Sequence, residues 1–256
     1  MGILNVTPDS FSDGGLFGSP ELAIEHAERM IDEGADLIDV GGESTRPGAQ
    51  RINTEDELER VLTVVDCLAT KGYAVSIDTR NAEVARVCLD SGAKVVNDVS
   101  GFRDPKMVEV AGRANCIVCA MHMLGEPGTM QENPVYGDVV AEVLSYLKAQ
   151  ALMLSASGLK DIWIDPGIGF GKTVSHNLKL LANVGQFVDS GWPVLIGVSR
   201  KSFIGKVLDL KETGDRLEGS LACQAMAQIQ GARILRVHDV RAAVRVAKLI
   251  SAVAAA

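Results

Sequence analysis

The chain has 256 residues, of which 47% are apolar, a net charge of −8 and five cysteines. That length suits one (β/α)8 barrel domain over residues 1–256, a fold that runs to ~250 residues without splitting, and the apolar content supports a large core without disulfides. The acidic balance argues against nucleic acid and anionic membranes as main partners. With no basic run, no signal peptide and no apolar stretch of ~18 residues, the sequence reads as a soluble cytoplasmic protein.

Eight short apolar runs recur along the chain, and most end in a polar residue. In order they are Gly2-Ile3-Leu4-Asn5, Leu37-Ile38-Asp39, Val75-Ser76-Ile77-Asp78, Val95-Val96-Asn97-Asp98, Ile117 to His122, Ile162-Trp163-Ile164-Asp165, Val194-Leu195-Ile196-Gly197 and Ile234-Leu235-Arg236-Val237-His238. Strands buried on both faces of a parallel sheet read as continuous apolar stretches. Polar groups at the C-terminal tips of such strands are how a (β/α)8 barrel, or TIM barrel, presents a site. The first run is short, so a native extension ahead of Met1 is expected.

Helical patterns lie between the runs, at residues 20–33, 54–69, 81–91, 104–113, 136–157, 175–188, 215–230 and 240–252. Ser19-Pro20 reads as an N-cap followed by proline at the first helical position, and Thr54 with Glu57 as a capping box. Gly34, Gly92, Gly158, Gly191 and Gly231 fall just past helix ends, where the left-handed conformation favours glycine. The five cysteines sit in apolar segments and read as reduced core thiols. Alternating short strands and helices imply a parallel α/β sheet, and eight pairs favour a closed barrel. Two long polar loops, beginning at Thr7 and at Gly41, follow strand ends and so lie on the face that carries the site.

The tips carry the chemistry. Asp78 and Asp165 each end an apolar strand, where a carboxylate is costly unless paired or hydrogen-bonded. A ligand with adjacent N–H donors, such as the 2-amino-4-oxo edge of a pterin or guanine, satisfies them, and Asn97 adds a donor and an acceptor. A salt-bridge network at the barrel mouth is the alternative. Arg46, Lys201, Arg236 and His238, with Arg200 beside Lys201, form a cationic focus on an acidic protein. Arg236 and His238 share parity, and Thr45 adds a hydroxyl. Together these groups suit an anion, most simply phosphate or diphosphate. Asn5 is an oxygen ligand suited to Mg²⁺, which takes one or two protein oxygens plus substrate phosphates and water.

Three patterns carry nothing. Pro166-Gly167-Ile168-Gly169-Phe170-Gly171-Lys172-Thr173 has proline where a Walker A loop needs glycine, and its spacing misses the dinucleotide fingerprint. Cys116 and Cys119 have opposite parity, which sends the two thiols to opposite faces. His26 and His176 fall on surface helices.

Gly2 to Gly15, with its Asn5-Val6-Thr7-Pro8-Asp9-Ser10-Phe11-Ser12-Asp13-Gly14-Gly15 core, resembles the first signature of the dihydropteroate synthase family of pterin-binding enzymes. Asp39-Val40-Gly41-Gly42-Glu43-Ser44-Thr45-Arg46-Pro47-Gly48 resembles the second. Matches continue in the family's order at Ser76-Ile77-Asp78-Thr79, Val96 to Gly101, Met121-His122-Met123, Asp165 to Lys172, Ser199-Arg200-Lys201-Ser202 and Arg236-Val237-His238-Asp239-Val240. Leu124 departs from the pattern, where the family often has Gln.

The resemblance implies a transferase of folate synthesis that joins (7,8-dihydropterin-6-yl)methyl diphosphate to 4-aminobenzoate with Mg²⁺ as cofactor. It implies that Asp78, Asn97, Asp165, Lys201, Arg236 and Met121 bind the pterin, and that Thr45, Arg46, Arg236 and His238 bind the diphosphate. Phe11, Thr45, Pro47, Phe170 and Ser202 are expected to form the aminobenzoate pocket. Asp39 belongs to the mouth network, Asn5 holds the metal, and Arg46, Lys201, Arg236 and His238 carry the catalytic charge. A pterin-binding methyltransferase and a non-catalytic barrel are the competing readings. The family also implies a homodimer, for which the apolar late helices at 219–229 and 240–253 are candidates, although they fit packing on the barrel as well.

Overall fold

A computed structural model describes residues 1–7, 19–44, 49 and 51–256. Phe11, Thr45, Arg46 and Pro47, expected at the site, lie outside the described residues, as does most of the first polar loop.

Eight strands form where the apolar runs fall: β1 (Gly2–Asn5), β2 (Ile38–Gly41), β3 (Val75–Asp78), β4 (Val95–Asp98), β5 (Ile117–Met121), β6 (Ile162–Asp165), β7 (Leu195–Ile196) and β8 (Ile234–Leu235). All pair in parallel. The strands β1 to β6 make one sheet in sequence order, and β7 pairs with β8. Bridges Ile164 to Val194 and Gly2 to Val237 join the two groups and close the ring. The seam is sealed by Ile3 N–H donating to Val237 O and Val237 N–H to Met1 O, at 2.9 and 3.0 Å.

Register fixes what each strand sends inward, because side chains alternate faces. Ile3, Asp39, Ser76, Val95 and Ile117 align across β1 to β5 as one interior layer. Asn5, Gly41, Asp78, Asn97, Cys119 and Trp163 align one step nearer the strand tips, and Met121 faces Asp165 one step beyond. The residues of opposite parity, including Ile38, Val40, Ile77, Val96, Val118 and Ile164, are fully buried and join the large apolar cluster between strands and helices. The apolar set therefore supplies stability on the outside of the barrel, while the polar set is free to build a site inside it.

The connecting helices are α1 (Pro20–Asp32), α2 (Thr54–Thr70), α3 (Ala82–Asp90), α4 (Pro105–Ala114), α5 (Val139–Ala156), α6 (Val174–Ala182), α7 (Val184–Val188), α8 (Ser202–Leu208), α9 (Leu217–Ile229) and α10 (Val240–Ala254). All five glycines expected at helix ends take positive φ.

Several boundaries differ from the sequence expectation. The cap of α2 is Asn53, whose side chain accepts from Asp56 N–H at 2.8 Å, rather than Thr54. Thr54 instead accepts from Asn81 Nδ2 at 2.8 Å, and Glu57 turns inward to Thr79. Asp138 caps α5 through Val140 and Ala141 N–H, so residues 136–138 stay outside the helix. The single helix expected at 175–188 breaks at Asn183, and residues 214–216 form a 3₁₀ turn before α9. Helix α8, directly after Lys201, is shorter than two turns and left no periodic trace.

The expectation of no apolar stretch of ~18 residues is also corrected. Helix α5 spans 18 residues of mean hydropathy 1.3, long and apolar enough by composition to cross a membrane. Its Val143, Leu147, Ala151 and Leu154 are fully buried against the barrel. Polar residues at only a few positions, among them Glu142 and Lys148, face outward.

Candidate active site at the barrel mouth

Asp39 is the centre of the mouth. It is wholly buried, and its two oxygens accept three hydrogen bonds: Ser76 Oγ to Oδ1 at 2.5 Å, Asn97 Nδ2 to Oδ2 at 3.0 Å and Arg236 Nε to Oδ2 at 2.6 Å. Three donors, one of them a guanidinium, offset the several kcal/mol that desolvating a carboxylate costs. Arg236 spans further: its Nη2 donates to Asp78 Oδ2 at 2.6 Å. One fork thus holds a carboxylate from β2 and another from β3. Burial works against the Arg236 charge, but Asp39 and Asp78 more than offset it and hold its pKa above the ordinary value.

Gly41 and Gly197 lie at the tips of two strands at this network, and a Cβ on either would meet it at ordinary contact distance. A Cβ on Gly41 would stand 3.5 Å from Asp78 Cβ and 3.8 Å from Asn5 Oδ1. One on Gly197 would stand 3.8 Å from Arg236 Cβ. Gly197 follows β7, the strand beside which Arg236 lies.

Asp78 is pushed up to about 7 by burial, which Arg236 opposes and Asp39 reinforces. Asp165 is likewise raised by burial and pulled back by Lys201, by the Gly167 amide donating at 2.7 Å to Oδ1, and by Lys172. Burial brings the Lys201 ammonium down to about 8, against the attraction of Asp165. Lys201 Nζ donates to Ile168 O and lies 4.6 Å from the Phe170 ring centroid. Phe170 packs on a small apolar cluster of Val99, Met121, Met123 and Met130.

The expected residues therefore divide as follows. Asp39, Asp78, Asn97 and Arg236 are directly bonded together. Asp165 and Lys201 join them electrostatically, with Met121 opposite Asp165 and Phe170 against Lys201. Ser202 opens α8 and is exposed. His238 sits past β8, its backbone N–H 3.2 Å and its Nδ1 3.0 Å from Ser199 Oγ. Asn5 faces the same space as Asp78. Arg200 is a correction: it leaves the cationic focus to grip Asp239, with Nε to Oδ2 at 3.0 Å and Nη2 to Oδ1 at 2.6 Å.

Sequence reasoning missed four residues. Ser76 shares the parity of Asp78 and aligns with Asp39, so strand parity alone pointed to it. Glu57 occupies the stripe continued by Val61, Val64 and Leu68, where an acid is conspicuous. Ser199 and Lys172 left no local signal of their partners. Cys116 packs outside the barrel and Cys119 inside it, as their parity required.

The pterin binding enzyme family model matches residues 1–238. The chain belongs to the pterin-binding enzyme family. Within it, the Escherichia coli K12 dihydropteroate synthase is 47% identical over 255 residues, covering 98% of this chain and 90% of that protein. The Yersinia pestis dihydropteroate synthase in a sulfonamide drug complex superposes with TM-score 0.96 at 41% identity, covering 100% of this chain and 94% of that one. The Xanthomonas albilineans dihydropteroate synthase with 4-aminobenzoic acid gives TM-score 0.94 at 42% identity, with 100% and 93% covered. These likenesses place this pterin-binding enzyme among the dihydropteroate synthases, TIM-barrel transferases of folate biosynthesis.

Proposed function

We propose that this chain, as one barrel domain, condenses (7,8-dihydropterin-6-yl)methyl diphosphate with 4-aminobenzoate to 7,8-dihydropteroate and diphosphate. The carrying observation is the Arg236 fork between Asp39 and Asp78, which preforms a row of acceptors beside fixed cations. The 4-aminobenzoic acid bound by the Xanthomonas albilineans enzyme supports the second substrate.

In this reading Asp78 and Asp165 accept the N–H donors of the pterin edge. Asn97 is oriented for the same edge by the bond it gives Asp39. Lys201 donates to an acceptor on the ring, Met121 lines the ring's underside, and Arg236 lies against its face. Thr45, Arg46, Arg236 and His238 take the diphosphate. Phe11, Thr45, Pro47, Phe170 and Ser202 form the aminobenzoate pocket.

An arylamine is a weak nucleophile, because its lone pair is delocalised into the ring. Direct displacement is therefore slow, and early departure of diphosphate gives a pterin-stabilised cation that the amine traps. The C–O bond to diphosphate breaks with its electron pair, the C–N bond forms, and the amine proton passes to water or to the released anion. Fixed charges and donors then matter most: Arg236 and His238 beside the leaving anion, Asp78 and Asp165 beside the cation, with Asp39 holding Arg236 in place. Closure of the mouth excludes water that would compete for the cation.

A Mg²⁺ fits these residues. Asn5 Oδ1 faces the mouth beside Asp78, and one amide oxygen is the protein share that Mg²⁺ takes when phosphate and water supply the rest. When bound, it neutralises charge developing on the leaving group.

The enzyme acts in the cytoplasm as a homodimer. The support for a dimer is an exposed apolar face on α9 and α10, where Met226, Ile229, Leu249 and Val253 stand in solvent. An assay coupling diphosphate release to 4-aminobenzoate consumption tests the activity. Stoichiometric release is expected, and methyl transfer without release would overturn the reading.

A further inference from the structure

The Pro166 to Thr173 segment, set aside as a failed phosphate loop, has a different use. It folds back over the end of β5 at distances that only glycine permits. A Cβ on Gly167, at φ +65°, would meet His122 O at 1.9 Å, and one on Gly171, at φ +63°, would meet Leu124 Cβ at 2.7 Å and Leu124 O at 2.8 Å. The close approach drives Lys172 into the protein, where it is 3% exposed. Its ammonium finds three acceptors: His122 Nδ1 at 3.0 Å, His122 O at 3.3 Å and Phe170 O at 3.0 Å.

The Lys172 ammonium donates, and opposite it Nδ1 of His122 carries the lone pair in the neutral tautomer protonated at Nε2. That ring stands edge-on to Tyr146, with centroids 5.0 Å apart at 88°. Burial, then Lys172 and Arg103, bring the His122 pKa down to about 3, so it stays neutral. Burial also lowers Lys172 to about 7, with Asp165 opposing and Lys201 assisting.

We propose that Lys172 is a positioning residue for pterin binding: its buried amine ties the end of β5 to the Phe170 loop and, while protonated, supports the charge of Asp165. The inference rests on the pterin reading of the mouth given above. Asp165 faces Lys201 from the segment before α8, Lys172 from its own loop, Arg236 from beyond β8 and Cys119 from β5, with Asp39 and Asp78 past Arg236. Lys201 has a mouth position and a ligand to serve. Lys172 has neither, and its protein acceptors are all on the two loops it joins. The same loop supplies the Gly167 amide to Asp165 and the Ile168 carbonyl to Lys201, so loosening it displaces both pterin contacts together.

The test is calorimetric titration of 6-hydroxymethyl-7,8-dihydropterin, which lacks the titratable diphosphate, into wild type, Lys172→Met and Asp165→Asn over a range of pH. Lys172→Met is expected to bind about tenfold more weakly, the scale of one lost charge-assisted support. Its affinity should also fall away at higher pH on the acid side, because Asp165 loses a cation that keeps it ionised. A role in stability alone would lower the melting temperature without moving that limb. Wild-type affinity and an unmoved limb in Lys172→Met, with Asp165→Asn weakened, would overturn the inference and leave the site reading standing. Wild-type affinity in Asp165→Asn would overturn the site reading itself. Should Lys172→Met fail to fold, His122→Asn keeps an acceptor where Nδ1 stood and His122→Leu removes it. The asparagine variant is expected to bind like wild type and the leucine variant about tenfold more weakly; equal affinity of the two would overturn the inference.

Discussion

Arg236 and Asp39, 197 residues apart in the chain, meet at 2.6 Å inside the barrel, and the same guanidinium reaches Asp78 at 2.6 Å. The first contact is structural and the second functional, because Asp39 is wholly buried while Asp78 opens to the mouth. Arg236→Met should destabilise the fold by about 3–5 kcal/mol, the cost of leaving a buried charge without its partner. The double variant Arg236→Met/Asp39→Asn should recover a measurable part of that loss in urea unfolding. Additive losses would show that the two groups are not energetically coupled.

The pterin site should be most receptive in a narrow pH range. Asp78 accepts hydrogen bonds only when ionised, and burial has raised it to about 7. Lys201 donates as a cation only when protonated, and burial has lowered it to about 8. Affinity for 6-hydroxymethyl-7,8-dihydropterin should therefore rise as pH climbs toward about 7 and decline beyond it, as Lys172, near 7, and Lys201, near 8, lose their protons. A calorimetric profile that is flat across both steps would refute the role of these shifts.

How much of this was legible beforehand follows from the period of the elements. Apolar runs end where strands reach the mouth, so Asp78, Asn97 and Asp165 were placed there by their position in the run, Arg236 and His238 by shared parity on one run, and Asp39 by the resemblance. Partners are another matter. That Arg236 would fork between Asp39 and Asp78 depends on β8 lying across the ring from β2 and β3, a relation between strands distant in sequence. Arg200 was misplaced for a similar reason. Its backbone takes φ +59°, which turns the side chain from Lys201 toward Asp239, and no sequence period encodes that turn. Lys172 read as part of a loop, because nothing local distinguishes a lysine driven inward by the close approach of Gly167 and Gly171 from one left in solvent.

Glu57 offers a test on stability alone. It accepts from Thr79 Oγ1 at 2.6 Å in a buried pocket, and burial raises it to about 7. The folded chain thus keeps this proton up to about 7, whereas the unfolded chain releases it near the ordinary 4.5. The folded state binds more protons across that window, so this group's contribution to stability falls as pH rises through it. Glu57→Gln keeps an acceptor for Thr79 and removes the charge. It should raise stability by on the order of 1 kcal/mol above pH 7 and change it little below pH 4.5. Thermal unfolding at the two ends of the window reads the difference, and an equal effect at both would mean the carboxyl is not protonated in the fold.

The late helices carry both fates that their composition allowed. Ser220, Gln224 and Ala227 of α9, and Val240 and Ala243 of α10, pack inward, while Gln228 Nε2 ties the helices by donating to Ala247 O at 3.0 Å. The opposite face leaves Ile229 72%, Leu249 67% and Val253 70% exposed. Several large apolar side chains on two adjacent helices make a patch of the kind that marks an association surface. A twofold contact would bring the patch against itself, since a dimer interface of this symmetry is self-complementary. Ile229→Glu places a charge at its most exposed position without touching the barrel mouth. The variant should sediment as a monomer at concentrations where the unaltered chain sediments as a dimer, with the melting temperature of the monomer fold retained. If the unaltered chain is monomeric at those concentrations, or if Ile229→Glu leaves the dimer intact, the association surface lies elsewhere.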